Sequence, residues 1–202
     1  AYLLGAVPTG LMLARLKGVD IRQVGSGNIG ATNVFRSAGK VIGIVTLTLD
    51  ILKGFGPAWG FVKLAVRCLE QPADPQWGIL FGCLAIVGHN WPVYLRFKGG
   101  KGVATSAGVL IGIAPVAVGI GLIGFLVLFI TTRYISAASI GAAIVCPVAG
   151  WIIYGASGLL LPVTLTVLGL LVIVRHRANI QRLLKGEESR FEFGRKKTGE
   201  ET

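Results

Sequence analysis

The stretch Val103–Thr132, VATSAGVLIGIAPVAVGIGLIGFLVLFITT, decides how many times this chain crosses a membrane, and with that its fold. No charged residue interrupts it. At its centre Ala114-Pro115 sits among Gly112, Gly119, Gly121 and Gly124, residues that let a helix stop and restart. A helix of about 30 residues is about 45 Å long at 1.5 Å per residue, whereas two full crossings of a 30 Å hydrocarbon core need about 60 Å. Length therefore argues for one crossing and the central break for two.

The charge of the flanking segments chooses between them. Apolar spans are read at about Ala1–Leu16, Val41–Val66 and Trp77–Trp91 before the stretch; two more follow it, reaching about Tyr154 and about Val174. Arg15, Lys17 and Arg22 follow the first span, and Arg96, Lys98 and Lys101 follow the third. The region from Arg175 onward holds eight of the 20 Lys and Arg. Between the second and third spans, by contrast, Arg67 meets Glu70 and Asp74, with Pro72 and Pro75 marking an exposed loop. Lys and Arg collect in cytoplasmic loops, so the N-terminus is expected outside and the three basic regions inside. One crossing of Val103–Thr132 would give six spans and put the basic tail outside; two crossings give seven and put it inside. Short or tilted helices in a locally thinned bilayer reconcile two crossings with the length. The expected fold is an all-α integral membrane protein, a seven-transmembrane-helix bundle with its N-terminus outside and its C-terminus cytoplasmic. One membrane-embedded domain is expected over residues 1–202, with a tail partly exposed from about residue 186.

Composition fits this reading. The 202 residues have a mean hydropathy of +0.72, with 53% hydrophobic and 14% charged residues. Soluble domains lie nearer a quarter charged. A net charge of +11 and a pI near 10.1 would suggest nucleic acid in a soluble protein. Here cytoplasmic loops account for the charge, and no nucleic-acid partner is expected. Cys68, Cys83 and Cys146 are odd in number, far apart and form no CxxC pair, so no zinc or disulfide framework is indicated. The 30 glycines allow close helix packing and lead us to expect a tight, monomeric bundle.

Three polar blocks interrupt the apolar chain. The first runs Gly25-Ser26-Gly27-Asn28-Ile29-Gly30-Ala31-Thr32-Asn33, with Arg36 and Lys40 beyond it. Its glycines permit backbone conformations other residues resist; Ser26, Asn28, Thr32 and Asn33 add donors, and Arg36 adds a planar fork suited to phosphate. The second is Phe97-Lys98-Gly99-Gly100-Lys101-Gly102, after Gly88-His89-Asn90. It lacks the GxxxxGK[ST] spacing and any preceding strand, so ATP is not implied. Lys101 can reach a phosphoryl group as a point charge, and a helix starting at Val103 would add free amides. The third is Arg175-His176-Arg177-Ala178-Asn179-Ile180. Neighbouring cations favour neutral His176, which could accept a proton or donate to a phosphate. Each block also has a plainer reading, as a capped linker, a positive-inside loop or a cationic helix end.

Other candidates are fewer. Asp50 and Lys53 fall inside a span, three residues apart, and are read as an ion pair near the site. His89 ends the third span before Pro92 and reads as a cap or bonded structural residue. Arg133, Ser136 and Ser139 form a smaller cytoplasmic cluster. No GxSxG elbow is present, and metal ligands are too sparse for a site.

The three blocks together, the third extending through Gln181-Arg182-Leu183 to Gly186 and Glu188, closely resemble the bacterial acyl-phosphate:glycerol-3-phosphate acyltransferase family. The match covers essentially the whole chain in order and spacing, and the first helix reads as shortened. The resemblance implies a seven-helix enzyme of the bacterial inner membrane with its site facing the cytoplasm. It implies transfer of a fatty acyl group from acyl phosphate to the 1-hydroxyl of glycerol 3-phosphate, giving lysophosphatidic acid and phosphate. No metal or other cofactor is expected. On this reading Ser26, Arg36, Lys101, His176 and Asn179 carry the chemistry. Ser26, Asn28, Arg36 and Lys101 surround the phosphates; His176 and Asn179 hold glycerol 3-phosphate. Gly25, Gly27, Thr32, Asn33, Lys40, Asp50, Lys53, His89, Gly99, Gly100, Gly102 and Ser136 complete the candidate binding set. The hydroxyl proton goes to His176 or to a substrate phosphate oxygen. The rival is a phosphate or organophosphate transporter, which the lack of a convincing internal repeat disfavours.

Overall fold

The computed structural model describes residues 1–70, 72 and 74–191. Every regular element among them is helical. The first apolar span is two short helices, α1 (Tyr2–Ala6) and α2 (Thr9–Arg15), because Pro8 lacks an N–H and breaks the ladder between them. A polar loop leads to α3 (Ala31–Ser37). The second span is α4 (Lys40–Phe55), a π-helical turn (Gly56–Phe61) containing Pro57, and α5 (Val62–Leu69). Asp74 then caps α6 (Pro75–Asn90) by accepting from the Gln76 N–H at 2.8 Å.

The stretch Val103–Thr132 divides at Ala114 into α7 (Val103–Ile113) and α8 (Pro115–Thr132). A sharp turn leads to α9 (Ile135–Tyr154), then α10 (Leu160–Arg175) and α11 (Arg177–Lys185), the last two meeting at a 56° bend. Four segments are long and apolar enough to cross a membrane: Lys40–Cys68, Gln76–Leu95, Pro115–Thr132 and Ile135–Ser157. The bent pair α10–α11 raises this to five. At 11 residues, α7 spans about 16 Å, roughly half of a hydrocarbon core, and α1 and α2 are shorter still.

Shape complementarity puts α7 in the interior. A β-carbon on Gly54 would overlap the Thr105 carbonyl, and one on Gly108 would overlap the Ile51 carbonyl, so α4 and α7 touch backbone to backbone. The main core runs from Ala58 and Ile86 through Val109 and Ala117 to Cys146 and Leu165. A second cluster, Leu11, Ala14, Ile21, Ile29 and Val34, lies beneath the first polar loop and anchors it to α2 and α3. By contrast, α8 buries little of its surface and presents Val116, Ile123, Val127 and Ile130 outward, as a lipid-facing helix does.

Candidate active site

The first loop is shaped from inside by one amide. Asn33 is 4% exposed. Its Nδ2 donates to the carbonyls of Ile21 (2.8 Å), Val24 (3.1 Å) and Asn28 (2.9 Å), and its Oδ1 accepts from the Ser26 N–H (3.1 Å). Both N–H donors of Asn33 are thus consumed within the loop, leaving none for a ligand. Gly25 has a φ of 60°, and a β-carbon there would overlap Asn33 Oδ1. The Asn28 side chain accepts from the Gly30 N–H (2.8 Å). Ser26, Gly27 and Asn28 then line an open groove with Arg22, Lys98, Gly99 and Arg175. Thr32 is half-buried on α3, Arg36 is exposed and donates to the Ser189 carbonyl (3.2 Å), and Lys40 is exposed at the start of α4.

The second loop is reached through two consecutive non-glycine residues in the left-handed region, Arg96 (φ 51°) and Phe97 (φ 62°). Such conformations cost about 1–3 kcal/mol each and persist where surrounding contacts demand them. Here they swing the chain back over the end of α6, where the Gly100 N–H donates to the His89 carbonyl (3.1 Å). Arg175 braces the turn from α10. Its guanidinium donates to the carbonyls of Gly99 (3.1 Å) and Gly100 (2.6 Å) while lying 5.6 Å from the centre of the Trp91 ring. Gly102 (φ 79°) starts α7 at Val103, as anticipated from the sequence. Lys101 projects from this turn and its ammonium donates to Asn179 Oδ1.

The third block supplies the opposite wall. His176 occupies the bend between α10 and α11, and its Nδ1 donates to the Val172 carbonyl (2.7 Å). A carbonyl only accepts, so the proton sits on Nδ1 and Nε2 is left as an acceptor. Asn179 Nδ2 donates to Glu188 Oε1 (2.6 Å). Glu188 also accepts from Ser136 (2.7 Å) and Arg182 (2.7 Å). Burial opposes ionisation of Glu188, but the hydrogen bonds from Ser136, Asn179 and Arg182 hold its carboxyl below the ordinary value. At Lys101, by contrast, burial prevails and lowers the pKa to about 8; Glu188 opposes this, while Arg182, Arg175 and Arg36 reinforce it.

Two residues matter more than their sequence context suggested. Arg175 looked like one of several cations at a helix end, and Glu188 like part of an exposed tail. Gly186, Glu187, Ser189 and Arg190 are indeed exposed, but the Glu188 side chain is only 8% exposed. Residues 192–202 of the expected tail lie outside the described residues. Asp50 and Lys53 pair at 2.8 Å in the bundle interior and do not reach this face. They are 2% and 6% exposed, so any contact with a phosphate would require the bundle to open. Among the described residues no group of three or more His, Cys, Asp or Glu is placed to hold a metal.

Fold and site together define a multi-pass helical membrane protein with a cationic, amide-rich site built where three polar segments meet. The sequence profile of the glycerol-3-phosphate acyltransferase family matches residues 1–186, and the chain belongs to that family. A glycerol-3-phosphate acyltransferase of Geobacter sulfurreducens is 49% identical over 195 residues, covering 95% of this chain and 94% of that protein. One of Aquifex aeolicus is 45% identical over 199 residues, with 95% of each chain covered. Among solved structures, PlsY (YgiH), an integral membrane glycerol 3-phosphate acyltransferase, is similar in its glycerol 3-phosphate form. The TM-score is 0.82 at 42% identity, covering 95% of this chain and 92% of that one. Its lysophosphatidic acid form gives a TM-score of 0.79 at 41% identity, covering 95% and 91%. Family membership makes the chain an acyltransferase and sets aside the transport reading.

Proposed function

We propose that the chain moves a fatty acyl group from acyl phosphate to the 1-hydroxyl of sn-glycerol 3-phosphate, the first step of phospholipid synthesis. The observation that carries this reading is the Lys101–Asn179 hydrogen bond, which joins the second glycine loop to the third block within the field of Arg36, Arg175 and Arg182. Two phosphate-bearing substrates need such a paired anion site. The glycerol 3-phosphate and lysophosphatidic acid forms of the similar PlsY structures support the acceptor and the product.

Acyl phosphate is already activated, so the protein mainly positions and neutralises. Lys101, Arg36 and the amides opening α7 hold phosphate oxygens; Ser26 and Asn28 contribute from the first loop; His176 and Asn179 orient glycerol 3-phosphate. The acceptor's 1-hydroxyl oxygen attacks the acyl carbonyl carbon. The new ester C–O bond forms, the C–O bond of the mixed anhydride breaks, and phosphate leaves with the electron pair. The hydroxyl proton passes to His176 Nε2 or to a phosphate oxygen. No metal or other cofactor takes part.

The same reading assigns seven spans: α1 with α2, α4 with α5, α6, α7, α8, α9 and α10. It places the three basic blocks and the C-terminus on the cytoplasmic side of a bacterial inner membrane, in a single domain over residues 1–202 that acts as a monomer. The charge asymmetry of the loops supports this orientation. The test is phosphate release by the purified protein given palmitoyl phosphate. Release that requires glycerol 3-phosphate and yields lysophosphatidic acid is the expected outcome. Release without an acceptor, or none at all, defeats the proposal.

A further inference from the structure

Beneath the Gly99–Gly102 loop lies a buried polar layer that no step above uses. His89 is 5% exposed and Asn90 0%. A β-carbon on Gly100 would overlap His89 Nε2, and one on Gly102 would lie 2.8 Å from Asn90 Oδ1, so the loop rests directly on these two side chains. His89 Nδ1, both amide atoms of Asn90 and the hydroxyls of Thr105 and Ser106 are buried without a hydrogen-bond partner among the described residues. Leaving a buried polar atom unmade costs about 1–3 kcal/mol, so an apolar floor of the same shape would be more stable.

The layer continues downward into charge. His89 Nδ1 lies 3.9 Å from Asp50 Oδ1. Asp50 is fixed by Lys53 at 2.8 Å and by the Thr9 hydroxyl at 2.6 Å. Lys53 in turn donates to the Val7 carbonyl (2.9 Å), which the Pro8 break leaves outside both α1 and α2. A line of polar side chains therefore runs from the broken first span, through the ion pair, to His89, whose ring packs against the underside of Gly100. A separation of 3.9 Å between polar groups is one that a bridging water closes, and buried, unpartnered amides and hydroxyls are where internal water binds.

We propose that His89 and Asp50 are positioning residues. Linked through bound water, they hold the Gly99–Gly102 loop in its phosphate-binding shape and so set the affinity for glycerol 3-phosphate without touching it. This rests on the acyltransfer reading, in which Lys101 of that loop binds phosphate beside Asn179.

Two variants of the purified full-length protein separate this role from simple packing. His89→Met keeps bulk and loses the polar link; His89→Gln keeps both bulk and a donor. His89→Met is expected to raise the KM and the calorimetric Kd for glycerol 3-phosphate about tenfold, with kcat changed by less than about threefold, whereas His89→Gln stays within about threefold of wild type in all three. Hydrogen exchange at Gly99–Gly102 should quicken in the Met variant alone. Indistinguishable Met and Gln variants, or a fall in kcat with KM untouched, overturn the proposal. If His89→Met does not fold, Thr9→Val removes the hydroxyl that fixes Asp50 and should raise KM in the same direction; an unchanged KM there is equally fatal. Wild-type protein that binds glycerol 3-phosphate but forms no lysophosphatidic acid would defeat the acyltransfer reading while leaving the exchange comparison intact.

Discussion

Lys53 and Lys101 are both largely withdrawn from water, and their surroundings teach opposite lessons. Lys53 sits in the bundle interior with its charge balanced: Asp50 supplies the countercharge at 2.8 Å and the Val7 carbonyl accepts at 2.9 Å. Lys101 has a neutral amide for a partner and feels three arginines. The nearby carboxylate of Glu188 is shared among Ser136, Asn179 and Arg182. A cation whose charge is balanced within the fold holds the fold together. On the proposed reading, a cation left with surplus positive charge around it awaits an anion from outside.

The largest effect expected from breaking this contrast is on stability. Asp50→Ala leaves Lys53 charged and buried without its countercharge, and loss of one partner from a buried pair costs about 3–5 kcal/mol. Denaturation in detergent measures it; a change below about 1 kcal/mol would mean Lys53 is not held as described. Lys101→Ala should reverse the pattern, with turnover down about 10²–10³-fold and a melting temperature close to wild type. Arg36→Ala follows the same pattern with a smaller loss, and near-normal lysophosphatidic acid formation in either variant would remove that residue from the site.

A finer distinction comes from pH. With its pKa lowered to about 8, Lys101 loses its proton as pH rises through that value, so the KM for glycerol 3-phosphate should climb above about pH 8. Lys101→Arg stays charged throughout and should flatten the climb. A profile that is the same in both proteins would assign the titration elsewhere. Smallest is the effect of Glu188→Gln. The Glu188 pKa is depressed in the fold, so its contribution to stability is present above its ordinary value of 4.5 and is lost as pH falls through the lower folded value. Wild type should therefore exceed the Gln variant in melting temperature at pH 7, with the gap narrowing in acid; a gap that does not depend on pH would sink this assignment.

Much of this was legible in the chain itself. The long apolar run at 41–66 falls within α4–α5, that at 77–91 matches α6 but runs one residue past its end, and Ala114-Pro115 marks the division of α7 from α8. The start of α7 at Val103, after Gly102, also read through, whereas Asp74 read only as part of a loop and proves to cap α6. Asn33 was harder. An amide beside a glycine string reads as a ligand donor, but its neighbours' carbonyls turned it inward. Arg175 and Glu188 were harder still, because Arg175 braces Gly100, 75 residues away, and Glu188 joins Ser136, 52 residues away, to its nearer partners Asn179 and Arg182. No local pattern distinguishes a bracing arginine from any other cation at a helix end.

What the sequence by itself determined was the solvent and the candidate segments: unbroken apolar runs mark a bilayer, and the three glycine, lysine and arginine blocks mark where an anion could bind. Those are properties of composition and short-range pattern. Which polar group faces the ligand and which is consumed by the fold was decided by tertiary structure alone. Hydrogen bonds and ion pairs reach only about 3–4 Å, so their assignment depends on which distant segments the packed helices bring together.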